Sequence, residues 1–140
     1  MKIPDANVLI NAVNEGSTNH AAARRWLDGA LNEDEGVGLA WLVILAFLRV
    51  STHPAILDSP LTRFEALESV EAWLAQRPAT VVEPTQRHVS ILRSLLDTAG
   101  HGGNLVNDAH LAALALEHGA QLVTFDRDFG RWDVPYLIPS

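Results

Sequence analysis

Short apolar runs alternate along the chain with longer stretches in which apolar residues recur at helical spacing. Continuous apolar runs bounded by polar residues predict buried strands, whereas apolar residues repeated every three to four positions predict helices packed on them. This alternation indicates an α/β fold. Because no repeat, low-complexity tract or linker interrupts the pattern, we expect residues 1–140 to form a single domain.

The apolar runs predict strands at residues 2–5, 37–40, 79–84 and 121–125, with a short last strand near 136–138. Pro4 lacks a backbone N–H, which weakens the first of these predictions. The helical spacing predicts helices at residues 6–13, 20–31, 41–50, 64–76, 86–99 and from Asn104 or Asn107 to 118, after a loop at 101–104. The stretch 41–50 is apolar all round until Arg49 and is therefore expected to be buried.

Capping residues mark the starts of three of these helices. Ser17 or Thr18 is expected to cap the second helix, and Thr85 the fifth. Thr62 followed by Glu65 predicts a capping box, in which each side chain accepts a hydrogen bond from the other residue's backbone.

Composition excludes several classes of function. The absence of cysteine rules out zinc–thiolate sites, thiol nucleophiles and disulfides, and it fits a reducing compartment. No stretch reads as a membrane span or a signal peptide, so we expect a cytoplasmic protein with no membrane partner. The net charge of −7 argues against a generic binder of nucleic-acid backbone. An acidic pocket that holds Mg²⁺ could still present positive charge to a phosphate.

Three carboxylates follow predicted strands. Asp5 follows the first strand, and Asp126 and Asp128 follow the strand at 121–125, while Asp108 is expected near a helix start. Ligands of open α/β sheets bind beyond the carboxyl ends of the strands, so neighbouring parallel strands would bring these acids together. Carboxylate oxygens suit Mg²⁺, which could activate water to cleave a phosphodiester.

A plainer interpretation competes with the metal site. An Asp after a strand is commonly a turn or cap residue, and Asp126 with Asp128 could form a polar turn. Asp108 near a helix start would also complement the helix dipole. The spacing of the acids alone leaves both interpretations open.

Three ordered segments carry a resemblance to a known family: "PDANVLINA", "NLVNDAHLAALALEHGA" and "LVTFDRDFGRW". Together with the intermediate "WLVILAFLRVSTHP", they resemble PIN-domain ribonucleases, specifically the VapC toxins of type II VapBC toxin–antitoxin systems. The resemblance covers essentially the whole chain. It implies a three-layer α/β/α sandwich with a mainly parallel central sheet, Mg²⁺ or Mn²⁺ as cofactor, cleavage of an RNA substrate and neutralisation by a cognate VapB-type antitoxin.

The resemblance also implies the site residues. Asp5, Asp108 and Asp126 match the metal-binding acids, and Asp128 matches an additional catalytic acid. Asn7 and Thr124 are expected to orient the site or the substrate, and Arg49, Arg127 and Arg131 are candidates for binding an RNA phosphate or an antitoxin carboxylate. His110 is expected to be structural.

One position departs from the family pattern. The family commonly carries a Glu three residues before an Arg on the helix after the second strand, where this chain has Ala46 and Arg49. Glu35 is too distant in sequence to replace it. The missing carboxylate leaves open whether one metal or two are used. It also motivates a second hypothesis, a catalytically weakened PIN domain that acts mainly as an antitoxin-binding module.

A third hypothesis, a phosphoacceptor receiver domain, is rejected because it needs a Lys near the last strand and the only Lys is Lys2. The resemblance implies a homodimer and a toxin–antitoxin hetero-oligomer, with the apolar helices at 41–50 and 64–74 as candidate surfaces. A basic antitoxin tail could place an Arg among the carboxylates. The sequence does not identify the RNA target.

Overall fold

The computed structural model of the chain describes residues 1–100 and 103–140. Within these residues, five strands form one sheet in the order β3-β2-β1-β4-β5, and every neighbouring pair is parallel. The strands are β1 (Lys2–Pro4), β2 (Val37–Ala40), β3 (Ala79–Val82), β4 (Gln121–Val123) and β5 (Tyr136–Leu137). The α-helices are α1 (Ala6–Val13), α2 (His20–Ala30), α3 (Trp41–Ser51), α4 (Arg63–Leu74), α5 (His88–Ala99) and α6 (Gly103–His118). A short 3₁₀ helix, Arg127–Arg131, follows β4.

The strand order divides the helices into two layers. From β1 through β2 to β3 the chain moves in one direction across the sheet, so right-handed crossovers place α1 to α4 on one face. The chain then returns to β4 on the far side of β1, which places α5 and α6 on the opposite face. The packing agrees, since α1 contacts α2 and α3, α3 contacts α4, and α5 contacts α6. The predicted three-layer α/β/α sandwich with a parallel sheet is confirmed.

Most predicted elements are confirmed, and the capping box is present, with Thr62 and Glu65 accepting from each other's backbone N–H at 3.0 Å. The N-cap residues predicted for the second and fifth helices were wrong. The second helix starts after Asn19, and Ser17 instead accepts a hydrogen bond from the Asn19 N–H. The fifth helix starts after Arg87, and the Thr85 hydroxyl lies two residues further back, where it accepts from the Arg87 N–H at 3.2 Å and donates to Glu117 on α6 at 2.6 Å.

Helix α6 begins one residue before Asn104, the earlier of its two predicted starts, which changes the place of Asp108. The helix starts at Gly103, so Asp108 lies inside it rather than at its start. The physical reason is that Leu105 and Ala109 continue the helical spacing of buried residues back toward the N-terminus of the helix. Of the predicted loop at 101–104, residues 101 and 102 lie outside the described residues, and Asn104 belongs to the helix.

Helix α3 is buried on one side only, although its sequence predicted burial all round. Ile44 and Phe47 are 1% and 0% exposed, whereas Trp41 and Leu45 are 50% and 55% exposed. A helix that covers one face of a sheet buries the side toward the sheet and leaves the other side to solvent. Of the helices described in residues 1–100 and 103–140, none combines the length and apolar character that a bilayer crossing requires.

Candidate active site

Strands β1 and β4 lie side by side and end at the same edge of the sheet. Pro4 pairs with Val123, and the backbone N–H of Asp5 donates to the Val123 carbonyl at 2.8 Å. The direction of chain travel across the sheet reverses between these two strands, and such a point is where ligands of α/β proteins bind. The expectation that Asp5 and the acids after β4 meet at one edge is confirmed in its geometry.

Asp5 is fixed by hydrogen bonds from three residues. Its Oδ1 accepts from the Ala6 N–H at 2.7 Å, which caps α1. Its Oδ2 accepts from the Thr124 hydroxyl at 2.9 Å and from the Asn7 side-chain amide at 3.3 Å. Asn7 in turn accepts at its Oδ1 from the Phe125 N–H at 3.1 Å, so the α1 start and the β4 end are joined on both sides of the carboxylate.

Asp126 is part of a turn and of the same hydrogen-bond network. Its backbone N–H donates to the Thr124 hydroxyl oxygen at 3.0 Å, and its Oδ1 accepts from the Asp128 N–H at 2.8 Å. Asp126 thereby caps the 3₁₀ helix. The polar-turn interpretation is therefore correct for the local geometry, and it is compatible with a site because both carboxylates also face a common cavity.

A cavity of about 640 Å³ opens at this edge. Its polar lining includes Asp5, Asn7, Arg49, Asp108, Asp126, Asp128 and Arg131, and its apolar lining includes Leu42, Leu45, Ala46, Leu105 and Leu111. We call it the acid cavity. Thr124 is fully buried and is absent from this lining, so among the described residues it contacts Asp5 from behind the cavity wall. Of the residues predicted for the site, all except Thr124 and Arg127 line this one space, and Arg127, which was a candidate for binding phosphate, lies outside the described lining.

The acids of the cavity disfavour each other's charge. Burial, together with the charges of Asp5 and Asp126, raises the pKa of Asp108 to about 6, and the positive charge of Arg131 opposes the rise. Burial also raises the pKa of Asp5, against the hydrogen bonds from Thr124 and Ala6 that stabilise its ionised form. A cation placed among these side chains would relieve the repulsion.

The donor set fits a hard divalent ion, since carboxylate oxygens are the ligands that Mg²⁺ and Mn²⁺ prefer. Within residues 1–100 and 103–140, however, no three His, Asp or Glu side chains converge tightly enough to hold a metal by themselves. That arrangement agrees with Mg²⁺ chemistry, in which one or two carboxylates share the ion with waters and substrate phosphates.

Ala46 lines the acid cavity at the position where a Glu was expected. The α3 wall of the cavity is consequently apolar around this residue, and Arg49 one turn later supplies the charge of that wall. Glu35 does not compensate, because it forms an ion pair of 3.1 Å with Lys2 at the opposite end of the sheet, where β1 starts.

A second polar cluster, which we call the α5–α6 clamp, was not predicted from the sequence. His88 contacts Glu117 through Nδ1 at 2.6 Å and His110 through Nε2 at 2.9 Å. Glu117 also accepts from the Thr85 hydroxyl and N–H at 2.6 and 2.8 Å. The only sequence signal was the spacing of His110 and Glu117, two helical turns apart on one face of α6. The geometry supports the structural role expected for His110.

The charges of the clamp are set by its hydrogen bonds. Burial raises the pKa of Glu117, but the hydrogen bonds from Thr85 and His88 outweigh it, and the net pKa is lowered. Burial and the neighbouring His88 lower the pKa of His110. The clamp is therefore built to hold an ionised Glu117 next to a neutral His110.

An apolar groove of about 310 Å³ lies between α3 and α4, next to the acid cavity. We call it the α3–α4 groove, and it is lined by Leu48, Arg49, Thr52, Arg63 and Leu67. Arg49 belongs to the lining of both spaces. The groove and the acid cavity thus lie beside one shared side chain, and Leu67, 48% exposed, contributes apolar surface to the groove.

The chain is similar in sequence to a known domain family and to individual proteins of it. The PIN domain family model matches residues 2–135. The chain is 51% identical to Ribonuclease VapC37 of Mycobacterium tuberculosis over 96% of this chain and 97% of that one. It is 40% identical to Ribonuclease VapC31 of the same species, over 94% and 93% of the two chains.

Solved structures share the fold. VapBC2 from Rickettsia felis, bound to a DNA fragment from its promoter, superposes with a TM-score of 0.72 at 14% identity, covering 99% of this chain and 98% of that one. Mycobacterium tuberculosis VapC20, described as a Sarcin-Ricin loop cleaving toxin, gives a TM-score of 0.70 at 15% identity and 96% coverage of both chains.

Proposed function

The chain belongs to the PIN-domain family and, within it, to the VapC ribonucleases of toxin–antitoxin systems, and on that premise we propose that it is a Mg²⁺-dependent endoribonuclease whose active site is the acid cavity. The observation that carries the proposal is the meeting of four carboxylates from three distant segments in that one cavity. The matched family model spans residues 2–135, which supports treating residues 1–140 as one PIN domain.

In this proposal Asp5, Asp108 and Asp126 would hold Mg²⁺ or Mn²⁺ together with waters and the substrate phosphate, since in the described residues no three acids converge tightly enough to bind the ion alone. Asp128 supports them as a further catalytic acid. When bound, the ion supplies Lewis acidity for the hydrolysis of a phosphodiester by water. The support from this chain is the raised pKa of Asp108, which reflects its burial first and then the negative charges of Asp5 and Asp126 beside it.

The remaining residues position the reacting groups. Thr124 and Asn7 hold Oδ2 of Asp5 in place, and the N–H of Asp126 shares the same Thr124 hydroxyl, so one side chain sets the relative position of two acids. Arg49 faces the substrate from the opposite wall. The buried Leu105 and Leu111 supply apolar lining, and an apolar surrounding strengthens the charge interactions next to it.

We infer that the partner is a VapB-type antitoxin and that one of its helices occupies the α3–α4 groove. The apolar lining fits an amphipathic helix, and the groove adjoins the acid cavity at Arg49, which lines both. A basic tail leaving that helix would reach the carboxylates of a chain whose net charge is −7 and pair with them. The neighbours from Rickettsia felis and Haemophilus influenzae are themselves VapBC assemblies.

We further propose that the toxin forms a homodimer and that dimers assemble with the antitoxin into a hetero-oligomer in the cytoplasm. The exposed apolar side chains of α3 and α4, among them Trp41 and Phe64, supply surface for such contacts. Light scattering on the toxin with and without antitoxin measures both stoichiometries, and a monomer at micromolar concentration would refute the homodimer.

RNA cleavage by antitoxin-free protein tests the activity. The reactions contain Mg²⁺, Mn²⁺ or EDTA and compare the wild type with Asp5→Asn and Asp108→Asn proteins. Asp97→Asn is the matched control, because Asp97 is an exposed acid on α5. We expect metal-dependent cutting by the wild type and the control and its loss, by about 100-fold or more, in the two site variants.

The second candidate function is an antitoxin-binding module with weak catalysis. It is supported by Ala46, which lines the cavity where a Glu was expected. Calorimetry with Mn²⁺ separates the two. Metal binding that disappears in Asp108→Asn supports the nuclease, whereas a folded wild type that neither binds Mn²⁺ nor cuts a broad panel of RNAs, yet binds antitoxin, supports the module.

A further inference from the structure

Arg131 is held at the rim of the acid cavity by contacts with Asp128 and Trp132. Its Nε donates to the Asp128 carbonyl at 2.8 Å, and its Nη2 lies 3.5 Å from Oδ2 of the same residue. The guanidinium carbon lies 5.3 Å from the centre of the Trp132 ring. A guanidinium stacked on an aromatic ring and bonded on one edge has a fixed plane, so its direction is set before any ligand arrives.

The contacts with Asp128 engage only part of the guanidinium. An Arg side chain carries five N–H donors, and these contacts use Nε and Nη2. Among residues 1–100 and 103–140, no other hydrogen bond or ion pair is made by this side chain. Arg131 also lines the acid cavity together with Asp108 and Asp126.

The surroundings of Arg131 distinguish it from Arg127. The two residues occupy the first and last positions of the same 3₁₀ helix, but in the described structure only Arg131 lines the acid cavity. A polyanion that approaches four carboxylates in a chain of net charge −7 is repelled unless a cation faces it. In the part of the chain described, the cationic side chains of the cavity lining are Arg49 on α3 and Arg131 across from it.

We propose that Arg131 is a phosphate-binding residue for RNA, with its remaining N–H donors directed at a non-bridging oxygen of the backbone beside the acids. This inference rests on the proposed nuclease function. From the sequence alone, Arg49, Arg127 and Arg131 were equal candidates for binding phosphate. Arg131 and Arg49 then bind the RNA from opposite walls, and Trp132 keeps the Arg131 guanidinium in plane. An antitoxin carboxylate is the competing ligand for the same donors.

The test compares Arg131→Ala and Arg131→Lys with Arg127→Ala, which removes the same charge from the same short helix. Steady-state cleavage in Mn²⁺ gives kcat and KM. Fluorescence anisotropy with a labelled 20-nucleotide oligouridylate in EDTA gives RNA affinity at several salt concentrations without any metal. Thermal unfolding confirms that each variant is folded.

We expect Arg131→Ala to lower kcat/KM by about 100-fold and to reduce the slope of log affinity against log salt by about one, while Arg127→Ala matches the wild type. Arg131→Lys should restore the salt slope but not the full rate, because Lys keeps the charge and loses the planar donors. If Arg131→Ala and Arg127→Ala have equal slopes and equal kcat/KM, the inference is wrong.

Two further results would show whether the inference about Arg131 or the proposed nuclease function has failed. Weaker antitoxin binding by Arg131→Ala with unchanged RNA affinity and cleavage would assign Arg131 to the antitoxin and overturn the inference. A wild type that cuts no RNA would refute the proposed nuclease. The anisotropy slopes would still decide whether Arg131 binds phosphate, because that measurement needs neither metal nor catalysis.

Discussion

The hydroxyl of Thr124 donates a hydrogen bond of 2.9 Å to Oδ2 of Asp5 and accepts one of 3.0 Å from the N–H of Asp126. Thr124 is fully buried, and it joins two acids that are separated by most of the chain. The relative position of these carboxylates therefore depends on a side chain that does not line the cavity.

Replacement of Thr124 by Val should separate these acids. Val has the same shape but no hydroxyl, so the partly buried N–H of Asp126 and one oxygen of Asp5 each lose a hydrogen bond, which costs about 1–3 kcal/mol. We expect cleavage to fall by about tenfold or more, and urea unfolding to show the loss of stability. Thr124→Ser keeps the hydroxyl and is the control, and a Val variant as active as the Ser variant would contradict the prediction.

The Asp108→Asn variant should be more stable than the wild type in metal-free buffer. The pKa of Asp108 is raised to about 6. Its negative charge therefore destabilises the fold increasingly as the pH rises from near 4 to about 6, and the destabilisation is complete above about pH 6. Since this side chain is partly solvated, we expect a gain of about 1–2 kcal/mol at pH 7.5 that disappears below pH 4.

Chemical unfolding of Asp108→Asn and Asp97→Asn across pH 4 to 8 measures this gain. Added Mg²⁺ should stabilise the wild type and the Asp97→Asn control more than Asp108→Asn, because ligand binding to the folded state raises its stability. If the free energy of unfolding depended on pH equally in all three proteins, the charge of Asp108 would not destabilise the fold.

The acids that follow strands could be predicted from the sequence, because parallel strands end at a common edge of the sheet. Asp5 and Asp126 are confirmed as members of one cavity on that basis. The position of Asp108 within α6 was not predicted, because it depends on how far buried residues extend the helix. The contact of His88 with Glu117 was also missed, since it is fixed by the packing of α5 on α6 and not by local spacing.

Ala46→Glu should strengthen metal binding. The substitution adds a carboxylate to the cavity wall, and more carboxylate ligands raise affinity for divalent ions. We expect Mn²⁺ to bind about tenfold more tightly by calorimetry, and the metal-free variant to unfold more easily because the acids repel one another. Ala46→Gln has nearly the same size without the charge, and equal Mn²⁺ affinities for Glu and Gln would count against the proposed ion position.

Glu117→Gln should weaken the α5–α6 clamp. The pKa of Glu117 is lowered, so its ionised form stabilises the fold above its ordinary value near 4.5, and that contribution is lost as the pH falls through the lower folded value. We expect a loss of about 1–3 kcal/mol at pH 7 that shrinks in acid, measured by urea unfolding. A stability difference independent of pH would show that packing, not charge, is responsible.

Leu67→Glu should weaken antitoxin binding while cleavage is retained. Leu67 contributes apolar surface to the α3–α4 groove but does not line the acid cavity in the described structure. A charge in that groove would have to be desolvated when a helix docks, so we expect affinity to fall by about tenfold or more. Val89→Glu, at an exposed position on α5, is the control. An equal loss in both variants would locate the antitoxin elsewhere.

The pairing of β1 with β4 also has a consequence during protein synthesis. Asp5 leaves the ribosome long before Thr124 and Asp126, which complete its surroundings and lie 119 and 121 residues later in the chain. A nascent chain that has made β1, β2 and β3 thus has no assembled site, and contacts of such long range form late in folding. With the active site assigned to the acid cavity, as proposed, ribonuclease activity would arise only after β4 has emerged and paired with β1.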